Sequence, residues 1–173
     1  MVTAYIALGS NIGPDKHIPA ALAELAARCR VAAVSRFYRS RPLNRPEQAD
    51  FINGACRIET GLSPRQLKFG VLRAIERELG RVRTGDAYAA RTIDLDILLY
   101  GDLVVEEEGL TLPDPDICRR PFLFLPLLDL DEHLRLPGAE KPLRELVHRE
   151  VTKGAAVDVK FTQALKEQSF THE

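Results

Sequence analysis

Residues 90–102 read ARTIDLDILLYGD, and the two aspartates inside this apolar run decide how the chain folds. Thr92 to Tyr100 has the length and the Ile/Leu content of a strand. Side chains of a strand alternate between its faces. Asp94 and Asp96 therefore share one face, and Ile93, Leu95, Ile97 and Leu99 share the other. The apolar face packs on a helix. The acidic face needs cations, because two carboxylates roughly 6–7 Å apart repel and bare charge is costly to bury. Two kinds of partner satisfy it. One is a hard divalent metal such as Mg2+, which takes carboxylate oxygens and keeps positions for water and phosphate. The other is arginine at a solvated edge. Arg81, Arg83 and Arg91 lie in the segment feeding the strand, and Arg119-Arg120 lies downstream. Arginine beside a metal–carboxylate pair suits polyphosphate recognition.

The neighbouring segments set the fold around this strand. Val2 to Gly9 alternates as a strand does and breaks at Gly9-Ser10-Asn11, by itself only a glycine-flanked turn. A helix runs through AALAELAAR (residues 20–28), and Pro19 leaves its start open. Val31 to Ser40 predicts a second strand, Arg41 to Asp50 a polar loop, and Phe51 to Thr60 a third strand. Ser63-Pro64-Arg65-Gln66 predicts a helix start with Ser63 as N-cap. Leu67, Val71, Ile75 and Leu79 then recur every four residues until Gly80 ends the helix. Leu103 to Leu112 predicts a hairpin around Glu108-Gly109, and Pro113-Asp114-Pro115-Asp116 a stiff loop. Arg119 to Asp129 predicts a short helix. The order β-α-β-β-α-β predicts an α+β fold, a ferredoxin-like sandwich with a mainly antiparallel sheet and an added hairpin and helices. Residues 1–140 form the main unit. Residues 141–173 are more polar and form a C-terminal extension of open role: a surface helix, an oligomer contact or a frayed tail.

At 173 residues the chain holds one sizeable core, and a formal net charge of −1 points to neither a nucleic-acid nor a membrane partner. No apolar run is long enough to cross a bilayer, and MVTAYIALGS lacks the basic start of a signal peptide. Cys29, Cys56 and Cys118 are odd in number and widely spaced, so reduced thiols in a cytoplasmic protein are expected. His17, His133, His148 and His172 have no metal-ligand spacing and are expected at the surface. There is no GxxxxGK[ST] loop and no GxGxxG turn, so a bound nucleotide must be held by metal and arginine. Other enzymes use such an aspartate pair, but the ExK element of a metal nuclease is missing.

Six segments occur in one order: ALGSNIG (7–13), FYRSRPL (37–43), DFINGA (50–55), IERELGRVR (75–83), RTIDLDILLYGD (91–102) and LPDPDICRRPFLFLPL (112–127). Together they resemble the 6-hydroxymethyl-7,8-dihydropterin pyrophosphokinase family of folate biosynthesis, over about Thr3 to Pro137. The resemblance implies transfer of pyrophosphate from ATP to the reduced pterin, leaving AMP, with two Mg2+ ions held by Asp94 and Asp96. It assigns Arg81 and Arg91 to charge stabilisation, with Arg91 also at the nucleotide. Arg83 and Arg120 are placed at the nucleotide phosphates, and Glu76, Tyr88 and Ile97 on the nucleotide side. The flat pterin would stack between Phe51 and Phe122, bond Asn53, and be lined by Ser40 and Leu43. A monomer acting on small molecules is expected, and Arg81 to Arg91 would form a lid.

The chain departs from the family in three places. Tyr88-Ala89-Ala90 stands where the family has Trp followed by Gly-Pro. Asp114 replaces a histidine after the loop proline and takes no family role, since a carboxylate cannot donate to a phosphate as His can. Pro115 and Arg41 also differ near the sites. A non-catalytic paralogue that still binds pterin or nucleotide is the alternative.

Overall fold

The computed structural model describes residues 1–147, 154–168 and 170, so His148 and His172 lie outside the described residues. A central sheet carries the fold. Its strands are β1 (Val2–Ser10), β2 (Arg30–Val34), β3 (Tyr38–Ser40), β4 (Phe51–Thr60), β5 (Asp94–Tyr100) and β8 (Ala155–Val157). The order is β5-β1-β4-β3-β8, with β2 also paired to β4, and every pairing is antiparallel. This is the expected ferredoxin-like α+β arrangement. Strands β6 (Val105–Glu107) and β7 (Leu110–Leu112) form the separate hairpin, turning at Glu108-Gly109 with Gly109 at φ 74°.

Helix α1 (Pro14–Arg28) and α2 (Arg73–Glu78) cover one face of the sheet, where Ile6, Leu8, Ile18, Leu22, Leu25, Leu72 and Ile75 join one core. Helix α3 (Pro121–Leu130) covers the other face, packing Phe124 and Leu127 with Tyr5, Leu98 and Leu99. α1 starts earlier than AALAELAAR requires, at Pro14, and accommodates Pro19 in its interior.

Three local departures from simple periodicity matter. The segment Val31 to Ser40 is two strands parted at residues 35–37, where the Ser35 N–H donates to the Ala55 carbonyl (2.9 Å) but its hydroxyl, not its carbonyl, accepts the Ala55 N–H (2.9 Å). Phe37 then lies flat over Gly54, where a Cβ would stand 2.5 Å from its ring. In β5 the register passes from Tyr5↔Leu99 to Ile6↔Ile97, which makes Leu98 the extra residue of a bulge. Leu99 therefore joins Leu98 on the α3 face, and only Ile93, Leu95 and Ile97 keep the side opposite the aspartates. Finally, the helix after Ser63 begins as expected, with reciprocal bonds from Ser63 N–H to Gln66 Oε1 (2.9 Å) and from Gln66 N–H to Ser63 Oγ (3.3 Å). Residues Gln66–Leu72 are nevertheless π-helical, with the Arg73 N–H reaching the Lys68 carbonyl five residues back. The wider turn sets Leu67 and Leu72, five apart, into the core and leaves Val71 half-buried.

Past Lys141 a one-turn helix α4 (Leu143–Leu146) is followed, after undescribed residues, by β8 and α5 (Val159–Lys166). β8 extends the sheet beyond β3, and Leu165 of α5 enters the α1-side core. Asp158 anchors this segment. It accepts the Phe161 N–H as helix cap (2.9 Å) and the Arg39 guanidinium (2.7 Å). Partial burial raises the pKa of its carboxyl, but the Phe161 N–H and Arg39 outweigh that and hold it below the usual range. Asp158→Ala is expected to cost about 1 kcal/mol in denaturant unfolding, the scale of a lost cap. A depressed folded pKa contributes stability only where the carboxylate is ionised. The gap between wild type and variant should therefore be full near neutrality and close as pH falls below the ordinary carboxylate range.

Candidate active site

β5 is the edge strand of the sheet, and its aspartates stand on the α3 face beside small residues of β1: Gly9 opposite Asp94 and Ala7 opposite Asp96. Asp94 is 35% and Asp96 43% exposed. Cations reach them around the open edge of β5. The Schellman turn at Gly80 (φ 80°, with Arg81 N–H to Glu76 O at 2.9 Å) brings Arg81 back over the end of α2. Its Nη1 donates to both Glu76 Oε1 and Asp94 Oδ1. Arg91 Nη1 donates to Asp94 Oδ2, and Lys68 Nζ lies 2.8 Å from Asp96 Oδ1. The arginine partners foreseen for the acidic face are thus present on Asp94, and a lysine holds Asp96.

Glu76 organises this cluster. It is 2% exposed. Besides Arg81 it accepts Arg83 Nη2 (2.6 Å) and the Leu95 N–H at the strand edge (2.9 Å). It lines a cleft of about 440 Å³ with Phe69, Arg73, Arg77, Arg81 and Arg83. In that cleft Arg73 stacks on Phe69, 4.4 Å from guanidinium carbon to ring centre, and its buried Nε has no hydrogen-bond partner among the described residues.

On the other side of Asp94 is a cavity of about 160 Å³. Ser40, Leu43, Phe51, Asn53 and Phe122 line it, together with Gly9, Tyr88, Arg91 and Asp94. The sheet register explains the grouping: Gly9 pairs with both Asp94 and Asn53, and Phe51 with Ser40. Asn53 Nδ2 donates to Ser40 Oγ at 2.8 Å. Gly9 leaves room for it, since a Cβ there would stand 2.8 Å from Asn53 Oδ1. Two loops meet over this cavity. Arg45 Nη2 bonds Asp86 Oδ2 (2.8 Å), and Gln48 Nε2 donates to the Tyr88 carbonyl (3.0 Å).

Asn11, read in the sequence only as part of a turn, ties both loops down. Its Oδ1 accepts the Arg91 N–H at 2.7 Å, and its Nδ2 donates to Gln48 Oε1 (3.2 Å) and Ala49 O (3.3 Å). His17 braces the same turn, with Nδ1 2.6 Å from Ile12 O.

Of the residues expected on the nucleotide side, Tyr88 lines the cavity of Phe51 and Phe122 and not the basic cleft, and two others stand apart. Arg120 lines neither cavity and makes a loose 3.9 Å pair with Asp116. The Ile97 side chain is buried in the α1-side core, so only its backbone is available to a ligand. Asp114 sits close enough to Asp96 to feel its charge. Burial first, and Asp96 second, push the Asp114 carboxyl above the usual range, while the Asp116 N–H and Lys68 draw it down.

Among the described residues no group of three or more His, Cys, Asp or Glu is arranged to hold a metal ion. The hard-donor set is Asp94 and Asp96. Two half-exposed carboxylates on one strand face fit Mg2+, which completes its shell with water and substrate phosphate. A metal taking them would compete with Arg81 and Arg91 for Asp94 and with Lys68 for Asp96.

Removing Glu76 leaves the Leu95 N–H at the strand edge unpaired, while Arg81 keeps Asp94 and Arg83 is half exposed, so Glu76→Ala is expected to destabilise by about 1–3 kcal/mol in chemical unfolding. A carboxyl with a raised folded pKa loses stability as pH rises through that value. Asp114→Asn should therefore be more stable than wild type at neutral pH, and the advantage should vanish below the ordinary carboxylate range.

Residues 5–132 match the family model described as 7,8-dihydro-6-hydroxymethylpterin-pyrophosphokinase (HPPK). The chain is 42% identical over 143 residues to the 2-amino-4-hydroxy-6-hydroxymethyldihydropteridine pyrophosphokinase of Haemophilus influenzae, covering 81% of this chain and 88% of that protein. It is 43% identical over 136 residues to the protein of the same name from Pseudomonas aeruginosa, with 77% and 83% covered. It is also 40% identical to the folic acid synthesis protein fol1 of Schizosaccharomyces pombe, covering 87% of this chain but 21% of that longer protein. Among solved structures, the Plasmodium falciparum HPPK-DHPS A437G protein with STZ-DHP aligns with a TM-score of 0.72 at 12% identity. That alignment covers 90% of this chain and 48% of that one, and it speaks for the fold alone. No helix of the described residues is long and apolar enough to cross a membrane. The chain belongs to the 7,8-dihydro-6-hydroxymethylpterin-pyrophosphokinase family, transferases of folate biosynthesis.

Proposed function

We propose that the protein transfers the β,γ-pyrophosphoryl group of ATP to the hydroxymethyl oxygen of 6-hydroxymethyl-7,8-dihydropterin. A bond forms between that oxygen and the β-phosphorus, the bond from the β-phosphorus to the α,β bridging oxygen breaks, that oxygen leaves on AMP, and the hydroxyl proton passes to solvent. One observation carries this reading: Asp94 and Arg91 line the ring-sized cavity, and Arg81 bonds the same Asp94 while lining the basic cleft. Acceptor and donor sites thus meet at one carboxylate.

The pterin ring stacks between Phe51 and Phe122 and takes its polar contacts from Asn53 and Ser40, with Leu43 and Tyr88 covering it. ATP takes the cleft beside Glu76, with Arg83 on its phosphates and Ile97 contributing backbone; Arg120, outside the cleft, joins the phosphates only if its loose pair with Asp116 opens. Arg81 and Arg91 leave Asp94 for the transferring group, where preorganised cations stabilise charge that develops in the transition state. Two Mg2+ ions, held by Asp94 and Asp96, supply charge neutralisation on the phosphates.

Residues 1–140 carry this machinery. The extension 141–173 braces the β3 edge through β8 and α5. The protein works as a cytoplasmic monomer on small molecules, without nucleic-acid or membrane partners. Asp114, a further carboxylate near Asp96, favours one second reading, in which both ligands bind without turnover.

Phosphorus NMR of the protein with ATP, Mg2+ and the reduced pterin should show AMP and a new diphosphate ester. Binding of both ligands by calorimetry without AMP would support the second reading instead. Asp94→Asn and Asp96→Asn are each expected to lower kcat by about a hundredfold or more, the loss typical when a group stabilising transition-state charge is removed.

A further inference from the structure

Lys68 is unusual for a lysine. Its side chain is 19% exposed, and it sits within the helix layer with its ammonium 2.8 Å from Asp96 Oδ1. Lysines on a solvated helix face keep their heads in water. This one gives up most of its hydration for a single carboxylate. The backbone puts it there: the Lys68 carbonyl accepts the i+5 bond that closes the π-helical turn, and such turns recur where a helix re-aims a side chain at a functional site. The next residue, Phe69, lines the basic cleft. Lys68 thus has its ammonium on the aspartate pair while its sequence neighbour lines the cleft, and it is close enough to Asp114 to be felt there.

Resting on the proposed reaction, we infer that Lys68 is a further nucleotide-binding residue, which holds Asp96 and turns its ammonium to an ATP phosphate when a metal ion takes that carboxylate. The geometry makes the exchange local. A metal approaching Asp96 competes with the Lys68 ammonium, and the displaced ammonium has few places to go. Its side chain is already largely buried, and Arg81, bonded to the neighbouring Asp94, would hold a phosphate beside Asp96. A strongly hydrated point charge on a four-carbon stem can follow a moving phosphate, where a rigid guanidinium fork would need a fixed geometry.

The exchange predicts opposite effects on two ligands, which a merely structural lysine would not produce. Lys68→Met should bind Mn2+ alone more tightly than wild type by paramagnetic titration, because a competitor for Asp96 is gone. The same variant should bind a non-hydrolysable ATP analogue in saturating Mg2+ about tenfold more weakly by calorimetry, the scale of one charge-assisted hydrogen bond. Lys68→Arg, which keeps the charge but not the compact head, should recover only part of that affinity. Thermal melts of both variants identify any general loss of folding, and Lys68→Gln gives a second neutral variant if Met is not tolerated. Unchanged Mn2+ affinity, or unchanged ATP affinity, in a folded Lys68→Met or Lys68→Gln protein overturns the inference. Neither titration needs turnover. If wild type releases no AMP while the two shifts appear, the reaction fails and the role of Lys68 stands.

Discussion

Charge compensation across the open edge of β5 is the constraint from which the rest of the site follows. Two carboxylates on one strand face cannot be left bare, and among the described residues no strand lies beyond β5. Basic side chains therefore come around the edge from the helix layer. Arg81 and Lys68 arrive from α2 and the π turn before it, and Arg91 from the loop ahead of the strand. The buried Glu76 makes this possible by satisfying two arginines and the free Leu95 N–H at once. Its burial is tolerated because each oxygen is hydrogen-bonded to a charged donor.

The same compensation explains how a rigid site can hand its cations to a substrate. Arg81 and Arg91 are held on Asp94 and do not swing in solvent, so their reorganisation is short and local. The loop carrying Arg91 is fixed by Asn11 and latched to the 41–50 loop through Gln48 and Arg45. These latches are exposed or half-exposed, and surface pairs of this kind contribute little stability. They open at small cost, as a loop that must admit two substrates requires.

Much of this was legible in the sequence because it rests on short-range rules. The alternation in Thr92 to Tyr100 put the aspartates on one face, and Ser63 with Gln66 marked the helix start by capping chemistry. The glycine after α2 marked its end. What escaped the sequence depends on an extra residue or a distant partner. The bulge at Leu98 moved Leu99 to the other core, and the π turn replaced the four-residue spacing of Leu67 and Val71 with the five-residue spacing of Leu67 and Leu72. A single inserted residue leaves composition and pattern almost unchanged, yet it re-aims every side chain near it. Lys68 was missed for that reason. Asn11 was missed because its partners lie 37 to 80 residues away. The resemblance names Glu76 for the nucleotide side, but its bond to the sheet edge joins residues 19 apart and is not legible in the sequence.

The most direct test is the nitrogen-15 NMR spectrum of the arginine side chains, recorded before and after addition of Mg2+ with a non-hydrolysable ATP analogue. Arg36, paired with Asp129, and Arg39, paired with Asp158, lie away from the site and serve as internal references. The account predicts that the guanidinium signals of Arg81 and Arg91 shift as they leave Asp94 for phosphate, while Arg36 and Arg39 stay in place. Arg81 and Arg91 signals that remain unchanged with the nucleotide bound would contradict it.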